Sequence, residues 1–149
     1  MGYGRHARFR WAEHTGELEL EIEADAEEAV YEAAFSAMSE LIGDDPETGA
    51  GTRDGARAPV GATVRGIAVE APDRARLLAE LLGELAFLAE TEGFVPEALE
   101  RLAVDGQRLD ATVRGRVGDP PHLVKAVTYH RLAFDGDGGR WRATVVLDV

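Results

Sequence analysis

The sequence of 149 residues contains no cysteine and no long apolar run. The absence of cysteine excludes a disulfide framework, a thiolate metal site and a cysteine nucleophile. Residues 1–10 are polar and basic, unlike a secretory signal, and no stretch of about 18 apolar residues is present to span a bilayer. We therefore expect a cytoplasmic protein that does not enter a membrane.

Positive charge is also scarce, since 16 Lys and Arg stand against 28 Asp and Glu, for a formal net charge of −12. Affinity for polynucleotides comes largely from Lys and Arg that neutralise phosphates, so we expect no direct binding to RNA or DNA. Two interpretations of the acidic surface remain open. It is either a solvated surface without a partner or the surface of an adaptor that meets a basic protein.

The periodicity of apolar residues predicts a single α+β domain over residues 1–149. Alternation with period two predicts strands, and apolar spacings of three and four predict two amphipathic helices. One helix follows Asp25 as N-cap and ends at Gly43, and the other follows Pro72 and Asp73 and ends at Gly93. The expected strands are 9–11, 17–24, 63–70, 99–104, 109–117, 124–134 and 140–149.

This order of elements favours a mostly antiparallel or mixed sheet with both helices on one face. The segment 43–61 is rich in Gly, Asp and Pro and is expected to be a flexible loop within the domain. Asp105–Gly106 is interpreted as a type I′ hairpin turn. The run DGDGG at 135–139 lacks the length and closing Glu of an EF-hand and is also interpreted as a hairpin turn.

Four glutamates alternate with apolar residues along the second strand, in the run ELELEIEA at 17–24. Such a row is usually the solvated face of a sheet, and this is our expectation for Glu19, Glu21 and Glu23. Glu17 differs because it begins the strand directly after His14, Thr15 and Gly16, where a loop meets the sheet.

A second carboxylate stands near the last residue of the sequence. Alternation in WRATVVLDV at 141–149 places Asp148 on the polar face, beside the free α-carboxylate of Val149. If this strand lies against the first hairpin, Glu17, Asp148 and Val149 converge as an all-oxygen site for calcium or magnesium. The alternative is a frayed polar terminus.

The run GDPPHLVKAVTYH at 118–130 leads a proline-rich loop into a strand with polar members. Lys125 is either a salt-bridge partner for the acidic surface or a contact for a nucleotide or a partner carboxylate. The four histidines show no metal-ligand spacing. His14 and His130 are either hydrogen-bonded structural residues or bases.

Four segments together carry a family resemblance. They are EHTGELELEIEADAEEAVYEAAFSAMSELI at 13–42, LLAELLGELAFLAETEG at 77–93, VKAVTYH at 124–130 and WRATVVLDV at 141–149. In these segments the sequence resembles the archease family, with its Glu-His-Thr-Ala-Asp opening and its Val-Leu-Asp ending. One departure is that Gly16–Glu17 stands where the family has Ala-Asp, so the carboxylate extends one methylene further.

The resemblance implies a small α+β protein that assists an RtcB-type RNA ligase in tRNA splicing or RNA repair. Such a protein promotes guanylylation of the ligase and its multiple turnover without being a ligase, and the GTP and manganese belong to the ligase. The family's metal-associated positions correspond here to Glu17, Asp148 and Val149. His14, Lys125 and His130 are further candidates for contact with the partner or for its activation.

Two other classes of function stay open on the sequence alone. A metal-dependent phosphoester hydrolase would arrange Glu17, Asp148, His14 and His130 around a cation. A chaperone-like binding module would instead expose apolar surface to unrelated clients.

Overall fold

The structure is a computed structural model that describes residues 6–43 and 62–149. The predicted loop at 43–61 lies outside the described residues, apart from Gly43, which ends the first helix. Within the described ranges the elements follow the predicted order. They are β1 Ala7–His14, β2 Glu17–Ala24, α1 Glu27–Gly43, β3 Thr63–Glu70, α2 Arg74–Glu92, β4 Phe94–Asp105, β5 Arg108–Val117, β6 Ala126–Asp137 and β7 Arg140–Asp148.

The strands form two antiparallel sheets where the order of elements indicated one. One sheet has the order β1-β2-β7-β6 and the other has the order β3-β5-β4. Each helix contacts strands of both sheets, so that the helices join the sheets around one core. The predicted α+β class, with antiparallel pairing and two helices, is confirmed.

The core lies on the apolar face of the β2–β7 pair and on the buried faces of the helices. Leu20 lies opposite Val145 in the register of β2 and β7, and both side chains are fully buried. Tyr31 of α1 is also fully buried and packs on the ring of Phe134, with ring centroids 5.3 Å apart. The Tyr31 hydroxyl is the one buried side-chain polar atom without a hydrogen-bond partner among the described residues. Burial raises the pKa of this hydroxyl well above its ordinary value of 10.0.

The ends of α2 lie where the sequence predicts them. The Asp73 side chain accepts a hydrogen bond of 2.8 Å from the Arg76 backbone N–H, and Gly93 ends the helix with a φ of 70°. The prediction for α1 was wrong by one residue, because the helix begins at Glu27. Asp25 lies one residue too early to be the N-cap, and its carboxylate accepts a hydrogen bond of 3.0 Å from the His6 backbone N–H.

The hairpin between β4 and β5 differs from its predicted form. Asp105 pairs with Arg108, so the two loop residues are Gly106 and Gln107. Only Gly106 has a positive φ, of 62°, which is the pattern of a type II′ turn and not of the predicted type I′. In the β6–β7 hairpin the predicted turn is confirmed at Gly138 and Gly139, which both have positive φ, whereas Asp135–Asp137 of the same run belong to β6.

Candidate functional site

The structure brings Glu17 and Asp148 together as direct partners across the central β2–β7 pair. Residues opposite each other in an antiparallel pair project to the same face, with Cβ atoms about 4.5–5.5 Å apart. Both residues are partly exposed. The expected adjacency of the first hairpin and the last strand is therefore present, and we call the group of Glu17, Asp148 and Val149 the acidic tip.

Backbone hydrogen bonds on both sides of β7 hold the acidic tip in place. The Val149 N–H donates to the Gly16 carbonyl oxygen over 3.2 Å, which ties Val149 to the β1–β2 turn. The Lys125 N–H donates to the Asp148 carbonyl oxygen over 2.8 Å. Gly16 has a φ of 75°, a conformation that glycine adopts without a steric penalty. The position of the tip is thus set by the sheet and not by a free chain end.

His14 extends the row of polar residues across a third strand. It lies opposite Glu17 in the β1–β2 register, so His14, Glu17 and Asp148 stand side by side. Its Nε2 atom lies 3.6 Å from Oε1 of Glu19, two residues further along β2. The structure therefore places His14 next to the tip.

Arg131, which no pattern in the sequence singles out, reaches the same row from β6. Its Nη2 atom donates to Oε1 of Glu19 over 3.2 Å and lies 3.8 Å from Oε1 of Glu17. Arg131 belongs to a break in the β6–β7 register between Thr128 and Ala133, and its φ is 58°. A positive φ is uncommon for a residue other than glycine. Neither the register break nor this φ leaves a signal in the sequence.

The remaining glutamates of β2 differ in their ion-pair partners and in their exposure to solvent. Glu21 and Glu23 form ion pairs of 2.8 Å and 2.9 Å with Arg10 and Arg8 of β1, on the polar face. The hydrogen bond from Arg8 is the main cause that lowers the pKa of Glu23 below its ordinary value of 4.5. The expectation of a solvated residue was wrong for Glu19, whose side chain is only 15% exposed because Arg131 and His14 cover it.

Lys125 directly precedes β6, and His130 lies within the register break of that strand. Lys125 is exposed and adjoins Ala126, which pairs with Asp148. His130 is exposed within the register break, where its backbone N–H donates to Oγ1 of Thr128 over 3.2 Å. The structure thus brings Lys125 beside the tip and places His130 next to Arg131.

The acidic tip places oxygen atoms side by side, and their chemistry can be compared with that of metal ligands. Over residues 6–43 and 62–149, no group of three or more His, Asp or Glu side chains is placed to hold a metal ion. The tip offers two side-chain carboxylates and the main-chain oxygen of Val149, which are the oxygen donors that Ca²⁺ and Mg²⁺ prefer. Magnesium sites with one or two carboxylates are commonly completed by phosphate oxygens and water. These donors therefore fit a hard cation that takes its remaining ligands from elsewhere.

The chain resembles known proteins along most of its length. The model of the Archease protein family matches residues 9–149. The chain is 29% identical to protein archease of Methanopyrus kandleri over 92% of this chain and 96% of the relative, and 27% identical to that of Methanosarcina barkeri over 95% and 96%.

Two solved structures share the fold of this chain. One is an archease of Thermotoga maritima, described as a possible chaperone, with a TM-score of 0.62, 20% identity and coverage of 93% of this chain and 94% of that one. The other is protein 1598 of Methanobacterium thermoautotrophicum, with a TM-score of 0.62, 23% identity and coverage of 95% and 98%.

Proposed function

The chain belongs to the archease family, and from this premise we propose that it is a cytoplasmic accessory protein of an RtcB-type RNA ligase. It promotes guanylylation of the ligase and its multiple turnover in tRNA splicing or RNA repair. In this proposal the protein has no catalytic activity of its own, and the GTP and manganese are bound by the ligase.

The observation that carries the proposal is the pairing of Glu17 with Asp148 at one end of the central strand pair. Two like charges directly opposite each other destabilise a sheet. A protein retains such an arrangement at a cost in stability, which favours a functional role over a structural one. In the proposal this end of the sheet enters or borders the basic, nucleotide-binding cleft of the ligase.

The overall charge of the chain supports contact with a protein instead of RNA. At a net charge of −12 the surface repels a polyanion on average and attracts a basic cleft. None of the described helices is long and apolar enough to cross a membrane. Lys125 and His14 flank the tip and are proposed to contact the partner, as is His130 in the register break.

A divalent cation, calcium or magnesium, is proposed as the ligand of the tip. Glu17, Asp148 and the main-chain oxygen of Val149 would hold it, and the ion would supply positive charge close to the phosphates of the ligase's nucleotide. The longer side chain of Glu17, compared with the family's Asp, is accommodated next to Gly16, whose φ of 75° already departs from regular strand geometry.

The test is guanylylation of the matching ligase with GTP and Mn²⁺, with this protein present at sub-stoichiometric amounts. We expect faster guanylylation with the wild-type chain and loss of the effect with Asp148→Asn. Glu21→Gln is the matched control, because Glu21 lies on the same face of β2 but pairs with Arg10 away from the tip. Equal activation by Asp148→Asn and the wild type would refute a role for the tip, and no activation of a competent ligase would refute the proposal.

The hydrolase alternative is tested with the isolated protein. It requires three protein ligands around a cation, and the described residues provide no such group. Metal-dependent turnover of a phosphoester without the ligase, abolished by Glu17→Gln, would support that alternative over the accessory role.

A further inference from the structure

The guanidinium of Arg131 lies 3.8 Å from Glu17, one of the two side-chain carboxylates of the acidic tip. Resting on the cation site proposed above, we propose that Arg131 is an internal competitor of the divalent cation, which keeps Glu17 paired until the Arg131 side chain is drawn away. The observation is the approach of one Arg131 nitrogen to two glutamates, 3.2 Å from Glu19 and 3.8 Å from Glu17.

Arg131 differs from the other arginines on this face of the sheet. Arg8 and Arg10 contact one glutamate each, and their side chains are 82% and 74% exposed. Arg131 lies between two glutamates and is 43% exposed, although it comes from the opposite edge strand. Its hydrogen-bond partner Glu19 is only 15% exposed, and solvent screens a charge pair with a partly buried member less than a fully exposed one. Its effect on a neighbouring cation is therefore larger than that of an ordinary surface arginine.

The register break on β6 directs Arg131 to this position. Five steps along β6 separate Thr128 from Ala133, whereas their partners Val146 and Thr144 are two steps apart on β7. The extra residues leave the plane of regular pairing, and a φ of 58° at Arg131 turns the chain there. The neighbouring Tyr129 hydroxyl bonds to Glu80 of α2 over 3.3 Å, which anchors the same segment to the helix. The backbone of this segment thus places Arg131 on the side of the sheet that carries Glu17 and Glu19.

Guanidinium and a divalent cation exclude each other from the same carboxylates for two reasons. Glu17 cannot give its oxygens fully to a metal while it is paired with Arg131. The two positive charges also repel each other. At a separation of about 6 Å in water this repulsion weakens metal binding roughly tenfold. Phosphate oxygens are strong partners for a guanidinium, so an approaching nucleotide would both withdraw Arg131 and complete the metal's ligands.

The experiment is a titration of the full chain with Mn²⁺ alone at low ionic strength, in which free Mn²⁺ is measured by electron paramagnetic resonance. Mn²⁺ is a suitable probe because it takes the same oxygen ligands as Mg²⁺ and Ca²⁺. Arg131→Gln removes the charge and keeps most of the side-chain stem, while Arg131→Lys keeps the charge. Arg10→Gln is the matched control, since it removes an arginine from the same face away from the tip.

We expect Arg131→Gln to bind Mn²⁺ roughly tenfold more tightly than the wild type. Arg131→Lys and Arg10→Gln should stay within about twofold of the wild type, since neither changes the charge next to Glu17. The double variant Arg131→Gln with Asp148→Asn should no longer bind Mn²⁺. This loss would show that the ion binds at the tip.

Two results would overturn the inference. Equal affinity of Arg131→Gln and the wild type, both abolished by Asp148→Asn, would show a metal site that Arg131 does not influence. If no variant binds Mn²⁺, both the proposed cation site and this inference are refuted. The guanylylation assay is independent of this titration, so failure here would leave the accessory role to be judged on its own.

Discussion

Neutralising Asp148 should make the protein more stable and should abolish its proposed activation of the ligase. Glu17 and Asp148 lie directly opposite each other, and at a carboxylate separation of about 5 Å in water two unit charges repel by about 0.8 kcal/mol. The guanidinium of Arg131, 3.8 Å from Glu17, offsets part of this repulsion. We therefore expect Asp148→Asn to raise the free energy of unfolding by about 0.5 kcal/mol.

The assay is thermal unfolding followed by circular dichroism in metal-free buffer at low salt. For a chain of this length the expected gain corresponds to a rise in Tm of about 1–2 °C. At about 1 M salt the screening length falls to about 3 Å, and the rise should largely disappear. Glu21→Gln is the control. Because it removes a favourable pair with Arg10, it should give no increase.

A double-mutant cycle makes the attribution to this pair specific. If the repulsion is the cause, Glu17→Gln and Asp148→Asn together should stabilise by less than the sum of the single changes. A lower Tm for Asp148→Asn, a rise that persists unchanged at high salt, or strict additivity would each refute the reasoning. A more stable protein that no longer activates the ligase would be a direct trade of stability for function.

Three further predictions concern residues away from the tip. Tyr31→Phe should raise the free energy of unfolding by about 1 kcal/mol in chemical denaturation, because it removes the buried hydroxyl that lacks a partner; a decrease would contradict this. Gly115→Ala should lower it by about 1–3 kcal/mol in the same measurement, because the new Cβ would overlap the Val95 carbonyl oxygen; an unchanged value would refute the overlap. Arg8→Gln should lower Tm near neutral pH. The pKa of Glu23 is lowered in the fold, so the Arg8–Glu23 pair stabilises the protein above the unfolded pKa near 4.5. This stabilisation is lost as the pH falls through the folded pKa of Glu23. The difference in Tm between the wild type and Arg8→Gln should therefore vanish in acid.

Local features of the fold could be predicted from the sequence because short-range chemistry determines them. Asp73 and Gly93 delimit α2 through hydrogen bonds and a backbone angle that depend on neighbouring residues alone. The division of the strands into two sheets could not be predicted, since it depends on which distant strands pair. The Asp105–Gly106 turn was misplaced by one residue because Asp-Gly and Gly-Gln are both acceptable hairpin loops, and the register across β4 and β5 decides between them.

The carboxylates of the acidic tip could be predicted from the sequence, but the neighbouring Arg131 could not. Alternation in β2 and β7 placed Glu17 and Asp148 on polar faces, and the family resemblance linked them. The contact of Arg131 with Glu17 and Glu19 could not be predicted, because strict alternation fails at a register break. Extra residues in a strand change which side chains share a face. The low exposure of Glu19 was not predicted either, since Arg131 from this break covers it together with His14.

The pairing of β2 with β7 also makes the tip a late product of folding. Each flanking hairpin, β1–β2 and β6–β7, joins strands that are neighbours in sequence and forms through short loops. Glu17 and Asp148 meet only when these hairpins dock, and contacts across so long a loop form slowly. An incompletely folded or damaged chain can thus contain every residue of the tip without presenting it. A partner that recognises the tip therefore also selects for chains whose folding is complete.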